Sequence, residues 1–161
     1  MEIRKTTKND LNDILKIYEH ARKFMKETNN PTQWGNHKPA VSQVEKDIID
    51  GKSYVCVNDE NKVVGVFYFN IEPDPTYSYI EGKWLNDEIY GVVHRIAVGQ
   101  NSKGIGGFCL KWAYEQCKNL RIDTHKNNIP MKSLLKKLGF SYCGIIYLLD
   151  GDPREAYQKI K

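Results

Sequence analysis

Gly99-Gln-Asn-Ser-Lys-Gly-Ile-Gly-Gly-Phe108 follows directly on an apolar run, Gly91-Val-Val-His-Arg-Ile-Ala-Val98, and leads into a helical pattern. Residues of these types in this order suit the binding of a pyrophosphate. The first amides of a helix lack intrahelical partners and its dipole is positive there, so an anion satisfies both. Gly104, Gly106 and Gly107 permit positive φ and let a ligand reach the backbone with no Cβ in the way, and Lys103 adds a mobile cation. The same glycines would equally serve tight packing of a helix on a sheet, so the stretch alone leaves both readings open. Two phosphate motifs are excluded. No Gly-Lys-Ser/Thr follows, and the third glycine of a dinucleotide fingerprint would fall near Leu110, where there is none.

His94 lies on the same run, four residues before Val98, where strict alternation puts it on the face of Ile96. An ordinary imidazole pKa of about 6.5 suits the removal of a proton from an ammonium group. A core histidine satisfied by hydrogen bonds is the competing reading. Asp123 lies in, and His125 follows, a later predicted strand, Leu120 to Thr124; both are candidates for holding a cationic acceptor or relaying protons, against a plain surface-loop role.

The elements that would position these groups follow from periodicity. Glu2 to Thr6 predicts a short strand, and Thr7 with Asp10 a capping box for a helix carrying Leu11, Ile14, Leu15, Tyr18 and Met25. Asn29-Asn30-Pro31 ends it. A weaker helix is predicted over 42–50, and strands over 53–57 and 62–70 with a hairpin turn between. Glu72 to Trp84 is a long loop of the kind that often binds. Then come strand 90–98, a helix over about 103–118, strand 120–124, helix 130–138, and strands 141–149 and 155–160. On the helix after the glycines, Ile105, Phe108, Cys109, Trp112 and Ala113 form the apolar arc, opposed by Lys111, Tyr114, Glu115 and Lys118. Alternation in the second half predicts parallel strands joined by right-handed crossovers, and the hairpin predicts antiparallel pairing in the first.

Asn101-Ser-Lys-Gly104-Ile-Gly106 resembles the [R/Q]-x-x-G-x-[G/A] signature of the GCN5-related N-acetyltransferases (GNAT), with Asn101 departing from the usual Arg or Gln. Asn128-Ile-Pro-Met-Lys-Ser-Leu-Leu-Lys-Lys-Leu-Gly-Phe140 is similar to the family's N-x-x-A-x-x-L-Y-x-x-x-G-F. Met131 stands in the alanine slot and Leu135 in the tyrosine slot. The two signatures come in order at the family's spacing, and the element order matches over essentially the whole chain.

The resemblance implies one N-acetyltransferase domain over 1–161. Its fold class would be α/β (α+β), a mixed and mostly antiparallel sheet of six to seven strands with helices on both faces. Strands 90–98 and 120–124 would splay around CoA. It implies acetyl-CoA as co-substrate and direct transfer to a primary amine of a small molecule or peptide; a non-catalytic acyl-CoA sensor of the same fold is the alternative. Ile96, Ala97 and Val98 would meet the pantetheine through backbone groups. Asn101, Ser102, Lys103, Gly104, Ile105, Gly106, Gly107 and Phe108 would cradle the pyrophosphate. Asn128, Met131, Leu135 and Lys137 would complete the cofactor set. His94 matches a histidine of the arylalkylamine acetyltransferases in H-x-x-A-V and is the expected base. The usual tyrosine acid is missing at Leu135, which leaves Tyr142, Cys143, Tyr147 or water. Trp34, Tyr79, Glu81 and His125, with Gln33, Tyr68, Trp84 and Tyr90 nearby in the segments that build acceptor pockets, would hold a cationic amine by cation–π and ionic contacts.

The rest of the sequence is consistent with such a domain. A net charge of +4 with scattered Lys and Arg argues against a dedicated nucleic-acid binder. Cys56, Cys109, Cys117 and Cys143 show no metal spacing, which predicts reduced thiols, no metal and a cytoplasmic location. No apolar run is long enough to span a membrane. A monomer or homodimer is expected.

Overall fold

The computed structural model describes residues 1–100 and 103–161. Twelve elements run β1 (Glu2–Lys5), α1 (Leu11–Glu27), α2 (Val41–Ile49), β2 (Ser53–Val57), β3 (Val63–Asn70), β4 (Glu81–Gly82), β5 (Gly91–Val98), α3 (Ile105–Cys117), β6 (Leu120–Thr124), α4 (Ile129–Lys137), β7 (Ser141–Tyr147) and β8 (Pro153–Lys159). All eight strands join one sheet in the order β1-β2-β3-β5-β6-β8-β7-β4.

The helices form where the sequence provides both a start signal and an apolar stripe. Before α1, the Thr7 amide donates to Asp10 Oδ2 at 2.8 Å, the reciprocal half of a capping box. Ile14, Ile17 and Tyr18 then fall on one face and are buried with Val55, Val57, Val66 and Ala97 of the sheet. Asn29, in the left-handed region at φ 65°, ends the run. On the opposite face α3 buries Ile105, Cys109, Leu110 and Ala113 against Phe67, Phe69, Val93 and Ile122. Leu110 thus belongs to the buried arc. Tyr114, expected on the polar side, packs its ring against the core with Lys159 Nζ 4.6 Å from its centroid.

Two expectations about the sheet are corrected. The loop Glu72 to Trp84 contains a strand, because β4 pairs antiparallel with Ile145 and Gly144, which makes eight strands rather than six to seven. Gly82 and Gly144 sit at φ 137° and 142°, with their backbones so close that a Cβ on Gly82 would lie 2.1 Å from the Cys143 carbonyl oxygen. A two-residue strand has no period to read. Among the described residues the second half also holds only one parallel pair, β5 with β6. β8 inserts between β6 and β7 and runs antiparallel to both. Among the described residues no helix is long and apolar enough to cross a membrane.

Candidate active site

β5 and β6 are parallel neighbours only at Gly91↔Leu120 and Val92↔Arg121. Beyond that point they separate into a wedge, and the edge of β5 facing β6 has no ladder partner. The other edge of β5 carries a bulge: β3 advances from Val66 to Tyr68 while β5 runs from Ala97 to His94. The extra residue is Arg95, in the left-handed region at φ 50°. That conformation costs on the order of 1 kcal/mol for a side chain with a Cβ, so other contacts must hold it. Arg95 Nε and Nη2 donate to Asp47 Oδ2 and Oδ1 of α2 at 2.8 and 2.9 Å. Its guanidinium lies 4.8 Å from the Tyr68 ring centroid, and its carbonyl accepts the Tyr18 hydroxyl at 2.8 Å.

The bulge overturns the alternation argument for His94. Counting through the extra residue, His94 shares the face of Tyr68, Val66 and Ala97, whereas Ile96 packs with the cluster of Val93 and α3. Both still line the wedge, from opposite sides of the sheet. Nothing in the local sequence marks Arg95 as left-handed, because the pinning group, Asp47, is far away in the chain.

His94 is held by the long loop. Its Nε2 is 2.6 Å from Asp74 Oδ2, and its Nδ1 faces Asp123 Oδ2 at 3.9 Å. The Tyr77 hydroxyl donates to the same Asp123 oxygen at 2.6 Å. Asp74 is aimed by a local turn in which its carboxylate accepts the Thr76 amide at 2.8 Å and the Thr76 hydroxyl at 2.7 Å, with Pro75 opening the turn. Burial raises the Asp74 carboxyl, but hydrogen bonds from His94 and Thr76 outweigh it and bring the pKa down to about 2. Burial, then the charge of Asp123, pushes the Tyr77 phenol well above its ordinary value. Asp74 and Tyr77 were not singled out from the sequence. The length of their loop was the only signal.

Two cavities meet at the wedge. One, of about 380 Å³, has His94, Asp123, Trp34, Gln33 and Arg154 in its walls. The other, of about 560 Å³, is lined by β5 from Ile96 to Gly99 and by Lys103, Gly104, Gly106 and Gly107 at the N-terminus of α3. Met25, Ile96, Asn128 and Met131 belong to both walls. Gly104 caps α3 at φ 80°, a position any other residue would strain, and nothing lies within 4 Å of where its Cβ would be. Asn128 caps α4: its Oδ1 accepts the Met131 amide at 3.2 Å, and its Nδ2 donates to Gln33 Oε1 at 3.0 Å.

Of the cofactor residues named from the sequence, Ile96, Ala97, Val98, Lys103, Gly104, Gly106, Gly107, Asn128 and Met131 thus come together. Ile105 and Phe108 turn their side chains to the core behind them. Leu135 is corrected: it is fully buried in the main core and lines neither cavity. Lys137 is exposed on α4 and also lines neither. Asn101 and Ser102 lie outside the described residues.

Of the acceptor residues, Trp34 lines the smaller cavity and packs edge-on against Tyr18, with centroids 5.7 Å apart. Tyr79 and Glu81 do not reach it. They sit on the surface, where the Tyr147 hydroxyl donates to Glu81 at 2.6 Å. His125 stands beside the cavity with Nε2 3.4 Å from the Thr32 hydroxyl, and burial followed by the charge of Arg154 lowers its pKa. Trp84 and Tyr90 do form a cation–π site, but its cation is internal. The Arg121 guanidinium lies 4.1 and 3.9 Å from their centroids. Tyr142, Cys143 and Tyr147 line neither cavity. Among the described residues no cluster of three or more His, Cys, Asp or Glu is arranged to hold a metal.

The model of the acetyltransferase (GNAT) family matches residues 14–140, and the chain belongs to that family. A GNAT-family acetyltransferase from Streptococcus agalactiae is 33% identical over 99% of this chain and 95% of its own, with a TM-score of 0.90. A phosphinothricin acetyltransferase from Sinorhizobium meliloti, solved in complex with AcCoA, is similar in fold at 16% identity over 98% and 86%, with a TM-score of 0.64. A ribosomal-protein-alanine N-acetyltransferase from Brucella melitensis has a TM-score of 0.65 at 20% identity, both chains covered in full. No curated protein sequence matches the chain significantly.

Proposed function

We propose that the chain moves an acetyl group from acetyl-CoA to a primary amine by direct transfer. The observation that carries this is the shared wall of the two cavities at Ile96, Asn128 and Met131. One cavity presents free helix amides and glycines suited to a pyrophosphate, and the other presents a carboxylate and an imidazole suited to an ammonium group. A pantetheine arm along the unpaired edge of β5 would bring its thioester to that wall.

His94 is the base. Asp74 orients its ring through Nε2, and Asp123, fixed by Tyr77, holds the incoming ammonium beside it. The deprotonated nitrogen attacks the thioester carbonyl, the tetrahedral oxyanion meets a β5 amide, and the C–S bond breaks to release CoA thiolate. A thiol pKa of about 8.5 makes thiolate a leaving group that water can protonate, so a tyrosine at position 135 is dispensable.

Leu135, buried where the family carries a proton donor, is the observation favouring a CoA-binding protein without transfer. Release of free thiol from acetyl-CoA, followed across amines, amino acids and peptides, separates the two. Turnover that depends on His94 is expected. Binding without turnover across the panel would leave the sensor reading, and no binding at millimolar acetyl-CoA would remove both.

A further inference from the structure

The smaller cavity has two chemically different ends, and the second end is not needed for amine transfer. Asp123 and His94 make the first. At the other, Arg154 of β8 is buried at 6% exposure while lining the cavity. A buried guanidinium almost always meets a carboxylate, because desolvating it alone is costly. Arg154 meets none: Nη1 donates to the Pro153 carbonyl at 2.8 Å and Nη2 to the Gln33 carbonyl at 3.4 Å. Among the described residues it makes no other hydrogen bond and no ion pair within 4 Å, although Asp150 on the rim feels its charge.

The charges nearby are committed elsewhere. Glu155 takes Lys132 at 3.2 Å and the Tyr157 hydroxyl at 3.1 Å. Asp150 faces Lys38, at 3.7 Å on the rim. Arg95, also in the wall, is occupied by Asp47. A second unpartnered group lines the same cavity: the Thr124 hydroxyl is buried with no hydrogen-bond partner. The cavity wall therefore keeps a buried guanidinium that meets only backbone carbonyls and no carboxylate, and a ligand's carboxylate would supply the missing counter-charge.

We infer that the acceptor is a zwitterion, an amine with a carboxylate a few bonds away as in a free α-amino acid, and that Arg154 is the residue that selects it. This deepens the transfer reading and rests on it. The separation fits. Asp123 pairs with Ala156, and Arg154 is two residues along the same strand on the same face, a diagonal of about 7–8 Å that is somewhat less between Cβ atoms. Hydrogen bonds of about 2.8 Å at each end leave room for the few bonds between ammonium and carboxylate. A planar guanidinium takes a carboxylate through two parallel bonds, whereas a neutral amide offers one acceptor and no charge. Asp123 at the other end repels a carboxylate and fixes the direction in which the acceptor enters. Lys38 adds a weaker, exposed cation at the rim.

The test compares each of several α-amino acids with its amide and its decarboxylated amine, at saturating acetyl-CoA. The acid form should exceed the amide in kcat/KM by at least about tenfold, some 1.4 kcal/mol. That preference should change little with salt, because Arg154 is buried. Arg154→Gln should lower the acid-to-amide ratio at least about tenfold, and Arg154→Lys should keep part of it. The wild-type preference needs no variant, so a misfolded substitution leaves the test intact. Equal or better use of amides by the wild type, or an unchanged ratio in a folded Arg154→Gln, would overturn the inference. Absence of turnover with every acceptor would sink the transfer reading instead. The inference is then decided by titrating the protein–CoA complex with N-acetyl amino acids and N-acetyl amino amides. Tighter binding of the acids supports it, and equal binding overturns it.

Discussion

The two cavities meet at one wall but are built on different principles. In the larger, one wall is backbone and small residues close in sequence, Ile96 to Gly99 of β5 and Lys103, Gly104, Gly106 and Gly107 at the start of α3, faced by side chains of α1 and α4. The smaller is made from side chains that arrive separately, His94 from β5, Asp123 from β6 and Arg154 from β8, with Asp74 and Tyr77 of the long loop holding the first two from behind. A site that reads phosphates through amides depends on conformation and tolerates many side chains. A site that reads an acceptor depends on particular side chains whose neighbours are chosen by the fold. The lesson is that acetyl-CoA binding should survive changes that abolish acceptor chemistry.

The sharpest way to break this division is His94→Ala. It should lower kcat/KM by about a hundredfold to a thousandfold, with the acetyl-CoA Kd measured by calorimetry within about twofold of wild type. A loss within about threefold would remove His94 from the chemistry. Next is Leu135→Tyr, which restores the family's residue in a position with no exposure. Overpacking there should reduce stability by about 1–3 kcal/mol in urea unfolding and leave kcat unraised. A gain in kcat would show that this position does reach the site.

Gly104→Val tests the other cavity. A β-branched residue is strained at φ 80°, so acetyl-CoA affinity should fall about tenfold, while helix content by circular dichroism is retained. The smallest expected effect concerns Asp74. Its folded pKa is depressed to about 2, so the stability it contributes is present above about pH 4 and is lost as pH falls through 2. At about 1.4 kcal/mol per pH unit, discounted for partial exposure, the term is about 1–2 kcal/mol. Acid unfolding followed between pH 4 and 2 should therefore be shallower in Asp74→Asn than in wild type. An equal slope would detach Asp74 from the His94 network.

The helices, most strands and the glycines at the start of α3 were determined by the sequence alone. Capping residues, 3.6-residue periodicity and the need for a left-handed Gly104 act over a few residues and are visible there. Tertiary structure decided what depends on distant partners. Gly82 meets Gly144 to make β4, and Asp47 holds Arg95 in the bulge that turns His94 away from Ile96. β8 brings Arg154 to the same face of the sheet as Asp123 and into the wall of the same cavity. Local propensity cannot encode a contact whose two halves lie far apart in the chain, because its energy exists only once the sheet has closed.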